Sequence, residues 1–290
     1  MTRTILVTGA TGRQGGAVAR QLLADNVSVR ALTRNPDGAA ARSLAAAGAT
    51  IVAGDFDDPE SLARALTGAS GVFAMQTPYE AGTGQEEIHG VRLADAARQA
   101  GVEQFVYSSV AAADRPTGVA HFENKGRIEI HVRSLGFRRL TILRPTFFME
   151  MLLSPGNLRA LAQGRIALTL DPGTRVAMIA VDDIARMAAA AFRDPDGFNG
   201  KAIELAGDNP NFDEVAAAFG AALSRPVAYV QVAPEAIDQD TRPKLGTQRW
   251  LESEGWPIDL PTLRSSLPFE ARTIRDWALE NAAALAGAGG

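Results

Sequence analysis

Apolar residues in this chain fall into short, nearly continuous runs, separated by longer stretches in which they recur every three or four positions. The runs are TILVTGA (4–10), VSVRALTR (27–34), ATIVAGD (49–55), GVFAMQT (71–77), QFVYSSV (104–110) and RLTILRP (139–145). Several are apolar almost throughout, the pattern of parallel strands buried on both faces. The stretches between them read as helices. Val18, Leu22 and Leu23 share a face in 13–24, Ile88, Val91 and Ala94 in 85–100, and Ile128, Val132 and Leu135 in 122–135. Strand and helix in strict alternation predict βαβ units, right-handed crossovers and a doubly wound parallel sheet of the α/β class.

After about residue 146 the pattern loosens. Segment 152–175 is rich in Gly and Pro. MIAVDDIARMAAAAF (178–192) predicts a turn into a helix, with Asp182 or Asp183 as N-cap. KAIELAGD (201–208) reads as a strand, and 212–232 as a helix followed by a strand. The remainder, with Trp250, Trp256 and Trp277, is helical or irregular, and the closing AAALAGAGG shows no apolar period by which to dock. No internal repeat is visible.

Composition narrows the chemistry. The chain has 290 residues and no cysteine, which removes disulfides, thiolate nucleophiles and Cys-ligated metals. Its three histidines, His89, His121 and His131, form no HExxH pattern, so no metal site is expected. With a net charge of −4 and interspersed signs, there is no basic stripe for direct nucleic-acid binding. MTRTILVTGA enters a strand at once, without a signal-peptide pattern, and no segment is apolar enough to span a bilayer. A cytoplasmic location is the expectation.

The most specific local signal is TGATGRQGG, which places Gly9, Gly12 and Gly15 between an apolar strand and an amphipathic helix. Three glycines alone mean little; in that context they mark a dinucleotide loop. Gly9 permits a tight turn, Gly12 lets the backbone approach a pyrophosphate, and Gly15 lets the helix pack close to the strand. The helix N-terminus then faces the phosphates. NAD binders carry an acid about 20 residues further on, at the end of the second strand. Here that strand ends in ALTRNP, with Arg34 suited to a 2′-phosphate by charge-assisted hydrogen bonds. Arg13 adds a second cation inside the loop, while Asp37 weakens the case slightly. The reading is NADP(H). Asp55 and Phe56, after the third strand, can reach an adenine edge and face, or simply belong to a turn, DFDDP, that caps the next helix.

The set ILVTGATGRQGG, VRALTR, GDFDDPESLARAL, FVYSSV, HFENKGRIE and ILRPTFFME resembles the NmrA-like family of atypical short-chain dehydrogenases/reductases, over residues 3–232. The resemblance implies a Rossmann-type domain over residues 1–150, to which about 178–210 returns. It also implies bound NADP(H), and a smaller C-terminal α/β region, mainly 151–290, that binds substrate or partner and closes over a cleft. It further implies that Thr11, Arg13 and Gln14 meet the pyrophosphate and that Arg34 meets the 2′-phosphate. Gln76, Thr77 and Pro78 would lie along the cofactor, Lys125 would bond the nicotinamide ribose, and Pro145, Thr146, Phe147 and Phe148 would flank the nicotinamide.

Tyrosine-dependent relatives carry Tyr-x-x-x-Lys where this chain reads HFENK, so His121 replaces the tyrosine and Lys125 is retained. Residues at i and i+4 share a helix face, so both can look into one cleft. His121 either supplies a proton or merely begins the helix, and the Lys125 ammonium would push its pKa down from the usual 6.5 or so. Lacking a general acid costs roughly 10²–10⁴-fold. That loss matters least for an acceptor whose reduced anion is stable, such as a quinone, an enone or an imine. Ser108 and Ser109 end the fifth strand, where relatives place a substrate-orienting serine; either lines the cleft or satisfies local backbone. Tyr107 reads as packed within its strand, and His89 and His131 have no evident partner.

Two functions follow from these residues. One is an NADPH-dependent reductase of a small conjugated acceptor, with Lys125, His121 and Ser109 as the catalytic candidates and segment 245–277 as a lid. The other is a non-catalytic NADP(H) sensor acting through a protein partner, as a monomer or a homodimer. The sequence favours the first.

Overall fold

The computed structural model describes residues 3–77, 82–233 and 244–286. The chain opens with β1 (Thr4–Val7), α1 (Arg13–Ala24), β2 (Ser28–Thr33), α2 (Ala39–Ala46), β3 (Thr50–Ala53) and α3 (Pro59–Leu66). It continues through β4 (Gly71–Ala74), α4 (Thr83–Gln99), β5 (Gln104–Ser108), α5 (Ala120–Ser134) and β6 (Arg139–Pro145). Then come β7 (Phe147–Phe148), a 3-10 turn (Met149–Leu153), α6 (Pro155–Ala162), β8 (Arg165–Leu168), β9 (Met178–Ile179), α7 (Val181–Arg193) and β10 (Ala202–Leu205). The chain ends in α8 (Phe212–Leu223), β11 (Ala228–Gln231), α9 (Lys244–Ser253), α10 (Leu260–Ser266), α11 (Ile274–Glu280) and α12 (Ala282–Ala286). Two compact units result: the chain up to Pro145 with Val181–Glu204, and Thr146–Ala180 with the chain from Leu205 on.

In the first unit seven strands lie in the order β10-β6-β5-β4-β1-β2-β3. The pairs between β6 and β3 are parallel, with Ile5 opposite Val29 on one side and Gly71 on the other. This is the Rossmann-type doubly wound sheet, and its order reverses between β1 and β4. The six apolar runs are therefore the six strands β1 to β6, and 201–208 adds β10 at the edge. Leu6, Val72, Phe105, Tyr107 and Ile142 from the strands pack with Leu62, Leu66, Leu93, Ile128 and Val132 of α3, α4 and α5. Burying an aliphatic side chain of this kind stabilises the fold by roughly 1.5–3 kcal/mol. The helices α1 and α7 pack against one another.

The helix at 83–99 buries a different face from the one its apolar residues predict. Ile88 is 41% exposed and Val91 only half-buried, while Glu86, His89, Gly90, Leu93, Ala94 and Ala97 are buried. The buried polar groups explain the difference. Glu86 meets Lys125, and His89 Nε2 lies 3.2 Å from Asp57 Oδ2. Gly90 lets α5 come so close that a Cβ there would overlap the Ile128 side chain. At α7, neither aspartate is the N-cap, because the helix begins at Val181 and both lie in its first turn. There they still complement the helix dipole.

The second unit holds two short parallel pairs, β8 with β11 and β7 with β9. Its core stacks Phe219 on Trp277 and Phe212 on Tyr229, and the Trp277 indole N–H donates to Glu150 Oε1 at 3.0 Å. Of the three tryptophans, Trp250 and Trp277 are buried in this unit. The tail docks as far as α12, where Leu285 is fully buried.

Candidate functional site

The site is built where β1, β4 and β5 end. After β1 the chain turns at Gly9, whose φ of +59° favours glycine. Gly12 is the N-cap of α1, with no side-chain cap and no acid in the first turn. At Gly15 a Cβ would sit 2.3 Å from the Gly9 carbonyl oxygen, so the helix packs against its own loop as the glycine spacing predicts. Gly12 is exposed, and a Cβ there would meet only the Gly9 oxygen, at 3.3 Å. That one contact with backbone is tight, and beyond it the space is open, so the missing side chain leaves a cradle at a helix N-terminus. Thr11 and Arg13 are exposed beside it. Gln14 is buried, and its side-chain amide donates to Ser108 Oγ at 2.6 Å, tying the loop to the end of β5.

Arg34 is exposed just past β2. Asp55 and Phe56 are half-buried after β3. The Asp55 carboxylate accepts from the Asp57 N–H at 2.9 Å, and Asp58 caps α3 through the N–H groups of Glu60 and Ser61. The turn caps a helix, as one of the two sequence readings has it, and Asp55 and Phe56 precede it half-buried. Phe56 lies against His89, with ring centroids 5.3 Å apart. His131, the other histidine with no evident partner in the sequence, has its Nε2 2.7 Å from Asp95 Oδ1.

After β4, Gln76 is 4% exposed, yet both polar atoms of its side-chain amide lack a hydrogen-bond partner among the described residues. Thr77 follows half-buried, and Pro78 lies outside the described residues. A buried primary amide left in this state is costly unless a ligand or water completes it. Ser109 Oγ is buried and likewise unpartnered among the described residues.

Lys125 is 7% exposed on α5, and its ammonium is enclosed by oxygen. It donates to the Gln76 carbonyl at 3.0 Å and to the Ser108 carbonyl at 3.3 Å. Glu86 Oε1 lies 3.2 Å from it, an ion pair rather than a well-aligned hydrogen bond. The nitrogen also stands 5.5 Å from the centre of the Tyr107 ring. Tyr107 is fully buried within β5, and burial, with the charges of Glu86 and Glu129, pushes its hydroxyl well above the usual tyrosine value. It packs and does not titrate.

Helix α5 is fixed from behind. Arg144 donates to both oxygens of the buried Glu129 at 2.9 and 2.6 Å and to Asp114 Oδ2 at 2.7 Å. The two carboxylates outweigh burial and raise the Arg144 pKa above its ordinary value. Gly126, next to Lys125, packs where a Cβ would come 2.2 Å from the Ala113 carbonyl oxygen. His121, one turn before Lys125, is half-buried and edge-on to Phe122. Burial first, and then the Lys125 charge, push its pKa down to about 4. At neutral pH it is an imidazole, not an imidazolium.

The last group of expected site residues divides between the units. Pro145 ends β6, in the first. Thr146 begins the second, its hydroxyl donating to the Leu205 carbonyl at 2.9 Å. Phe147 and Phe148 are both half-buried in the β7–β9 pair. Among the described residues, no group of three or more His, Asp or Glu could hold a metal, and no helix is long and apolar enough to cross a membrane.

The residue that the sequence did not single out is Glu86, fully buried against Lys125. It sits among charged and polar neighbours in GQEEIHG, and the apolar pattern placed the buried face elsewhere.

The fit to a phosphorylated dinucleotide rests on three features: the glycine cradle at a helix N-terminus without a side-chain cap, the buried Gln76 amide that is unpartnered among the described residues, and the cations Arg13, Arg34 and Lys125. Comparison with known proteins agrees with the fold. Residues 1–249 match the model of the NmrA-like family. The chain is 34% identical over 273 residues to the NmrA-like family domain-containing oxidoreductase FrzB of Cladobotryum sp., covering 84% of this chain and 81% of the relative. It is 34% identical to an NAD(P)H azoreductase of Xenophilus azovorans, covering 81% and 79%. The crystal structure of Citrobacter sp. triphenylmethane reductase complexed with NADP(H) superposes with a TM-score of 0.79 at 23% identity, covering 96% and 99%.

Proposed function

The chain belongs to the NmrA-like family, and from that premise we propose that it is an NADPH-dependent reductase of a small conjugated acceptor. The single observation that carries this reading is the enclosed ammonium of Lys125, held by the Gln76 and Ser108 carbonyls where β4 and β5 end. A buried cation at that position has no evident packing value and is expensive unless paired. It is suited to holding a ribose and to stabilising negative charge that develops on an acceptor.

When bound, the nicotinamide supplies a hydride. The chain's own groups do the rest. Thr11, Arg13 and the α1 N-terminus bind the pyrophosphate, and Arg34 binds the 2′-phosphate. Asp55 and Phe56 border the adenine, and the Gln76 amide with Thr77 follows the dinucleotide. Pro145, at the end of β6, borders the nicotinamide. Lys125 orients the ribose, and Ser109 Oγ is available to an acceptor oxygen or nitrogen.

The acceptor class follows from the proton. His121 is neutral at physiological pH and donates poorly as an acid, and Tyr107 is locked in the core. Without a strong general acid, acceptors whose reduced form is a stable anion are favoured, with water completing the protonation. Quinones, enones and imines have that property. The 34% identical relative named an NAD(P)H azoreductase supports a reductase reading.

The test is a panel of quinones, enones, imines and azo compounds with NADPH under single-turnover conditions. The account expects oxidation of NADPH with at least one class and its loss in Lys125→Ala. Bound NADPH that reduces none of the four would overturn the reductase reading.

A further inference from the structure

The Lys125 ammonium has three N–H donors, and in this structure three oxygens already surround it. Two are backbone carbonyls in hydrogen-bonding geometry, Gln76 O and Ser108 O. The third is Glu86 Oε1, at 3.2 Å but poorly aligned. Two N–H groups are thus spent on carbonyls, and a ribose hydroxyl that takes the third needs the space that Glu86 Oε1 holds, so that contact is the one it displaces. The Ser108 carbonyl ends β5 and the Gln76 carbonyl follows β4, both of them backbone in hydrogen-bonding geometry, whereas Glu86, in the first turn of α4, is a side-chain contact without that alignment and gives way first. Neither of its carboxylate oxygens has a well-formed hydrogen bond among the described residues, and the residue is fully buried.

We propose that Glu86 is an internal stand-in for the cofactor. On binding, Lys125 exchanges the Glu86 carboxylate for a ribose hydroxyl, and the stranded carboxylate takes up one proton from solvent. The second half follows from the first, since a fully buried carboxylate that loses its Lys125 counter-ion is far more stable neutral. Burial already pushes the Glu86 carboxyl above its ordinary value, opposed by Lys125 and by the Asn124 side chain beside it. Among the described residues, the following groups face it. Lys125 and Asn124 come from α5, with His121 a turn earlier against Lys125, and Tyr107 comes from β5. Glu87, its neighbour on α4, is turned to Arg127.

Glu86 is thus a positioning residue. It holds the lysine in place without cofactor, and its protonation couples cofactor affinity to pH. The sign is fixed. Binding that takes up a proton weakens as pH rises, at most about tenfold in Kd per pH unit for one proton.

The inference rests on the cofactor reading above, and its test separates the two. NADPH is titrated into the full chain by calorimetry, in buffers of different ionisation enthalpy, between about pH 6 and about pH 9. The same is done with Glu86→Gln, which is isosteric and cannot ionise, and with Glu86→Asp. The 2′-phosphate of NADPH titrates too, but equally for each protein, so the difference between proteins is the readout. The expected result is a net proton uptake in the wild type and in Glu86→Asp that is missing in Glu86→Gln, whose affinity then depends less on pH. Equal proton uptake by wild type and Glu86→Gln, with NADPH bound to both, would overturn the stand-in role alone. No NADPH bound to the wild type would overturn the cofactor reading and this inference with it.

Discussion

At the scale of single residues, Arg34 and His121 each yield a separate prediction. Arg34 stands exposed just past β2, where a 2′-phosphate would be met. A charge-assisted hydrogen bond contributes roughly 1.5–3 kcal/mol, so Arg34→Ala should weaken NADPH about ten- to a hundredfold. NADH, without the phosphate, should be little affected, and equal losses would remove Arg34 from the site. His121 yields a prediction about stability. Its folded pKa of about 4 lies below the usual value near 6.5, so the unfolded chain takes up the proton first as pH falls. Its contribution to stability is full above about pH 6.5 and is lost toward pH 4. Denaturant melts of His121→Asn should therefore lose less stability between about pH 7 and about pH 5 than the wild type does. A steeper acid loss in the variant would contradict the buried, neutral imidazole.

At the scale of elements, function depends on how closely helices approach backbone. Gly15 places α1 against the Gly9 carbonyl, and Gly126 places α5 against the Ala113 carbonyl. A methyl at either meets backbone that cannot rotate away, a strain of roughly 1–3 kcal/mol. Gly126→Ala should lower the melting temperature and, by shifting the neighbouring Lys125, weaken NADPH as well. A variant equally stable and equally avid would show that α5 has slack at this point. Much of this level was legible in the sequence. The strands at 4–7 and 139–145 announced themselves as continuous apolar runs, and the glycine spacing declared the turn before α1. The helix at 83–99 was misjudged on its face, for a physical reason. Ile88 lies outward while Glu86 and His89 lie inward, because each finds a partner from a distant part of the chain. Periodicity counts apolar residues and cannot see a paired carboxylate.

For the whole chain, topology does what no single motif could. The strand order brings the glycine loop after β1, the Gln76 segment after β4 and the serines after β5 to the C-terminal ends of neighbouring strands. Lys125 then reaches two of those ends at once. The glycine turn was readable in sequence because its geometry is local, and Gln76 and Lys125 entered through the family resemblance. Glu86 did not, because its pairing with Lys125 exists only after folding. The acceptor's identity was illegible for the same reason, since specificity depends on side chains gathered from distant segments. Because a ligand that binds only the folded state stabilises it by roughly 2.7 kcal/mol at a hundredfold excess over Kd, saturating NADPH should also raise the melting temperature measurably.

The most direct test of the central claim is calorimetric titration of the purified protein with NADPH and with NADH. The account predicts saturable binding of NADPH at one site per chain, tighter than that of NADH. Failure of both dinucleotides to bind at millimolar concentration would contradict it.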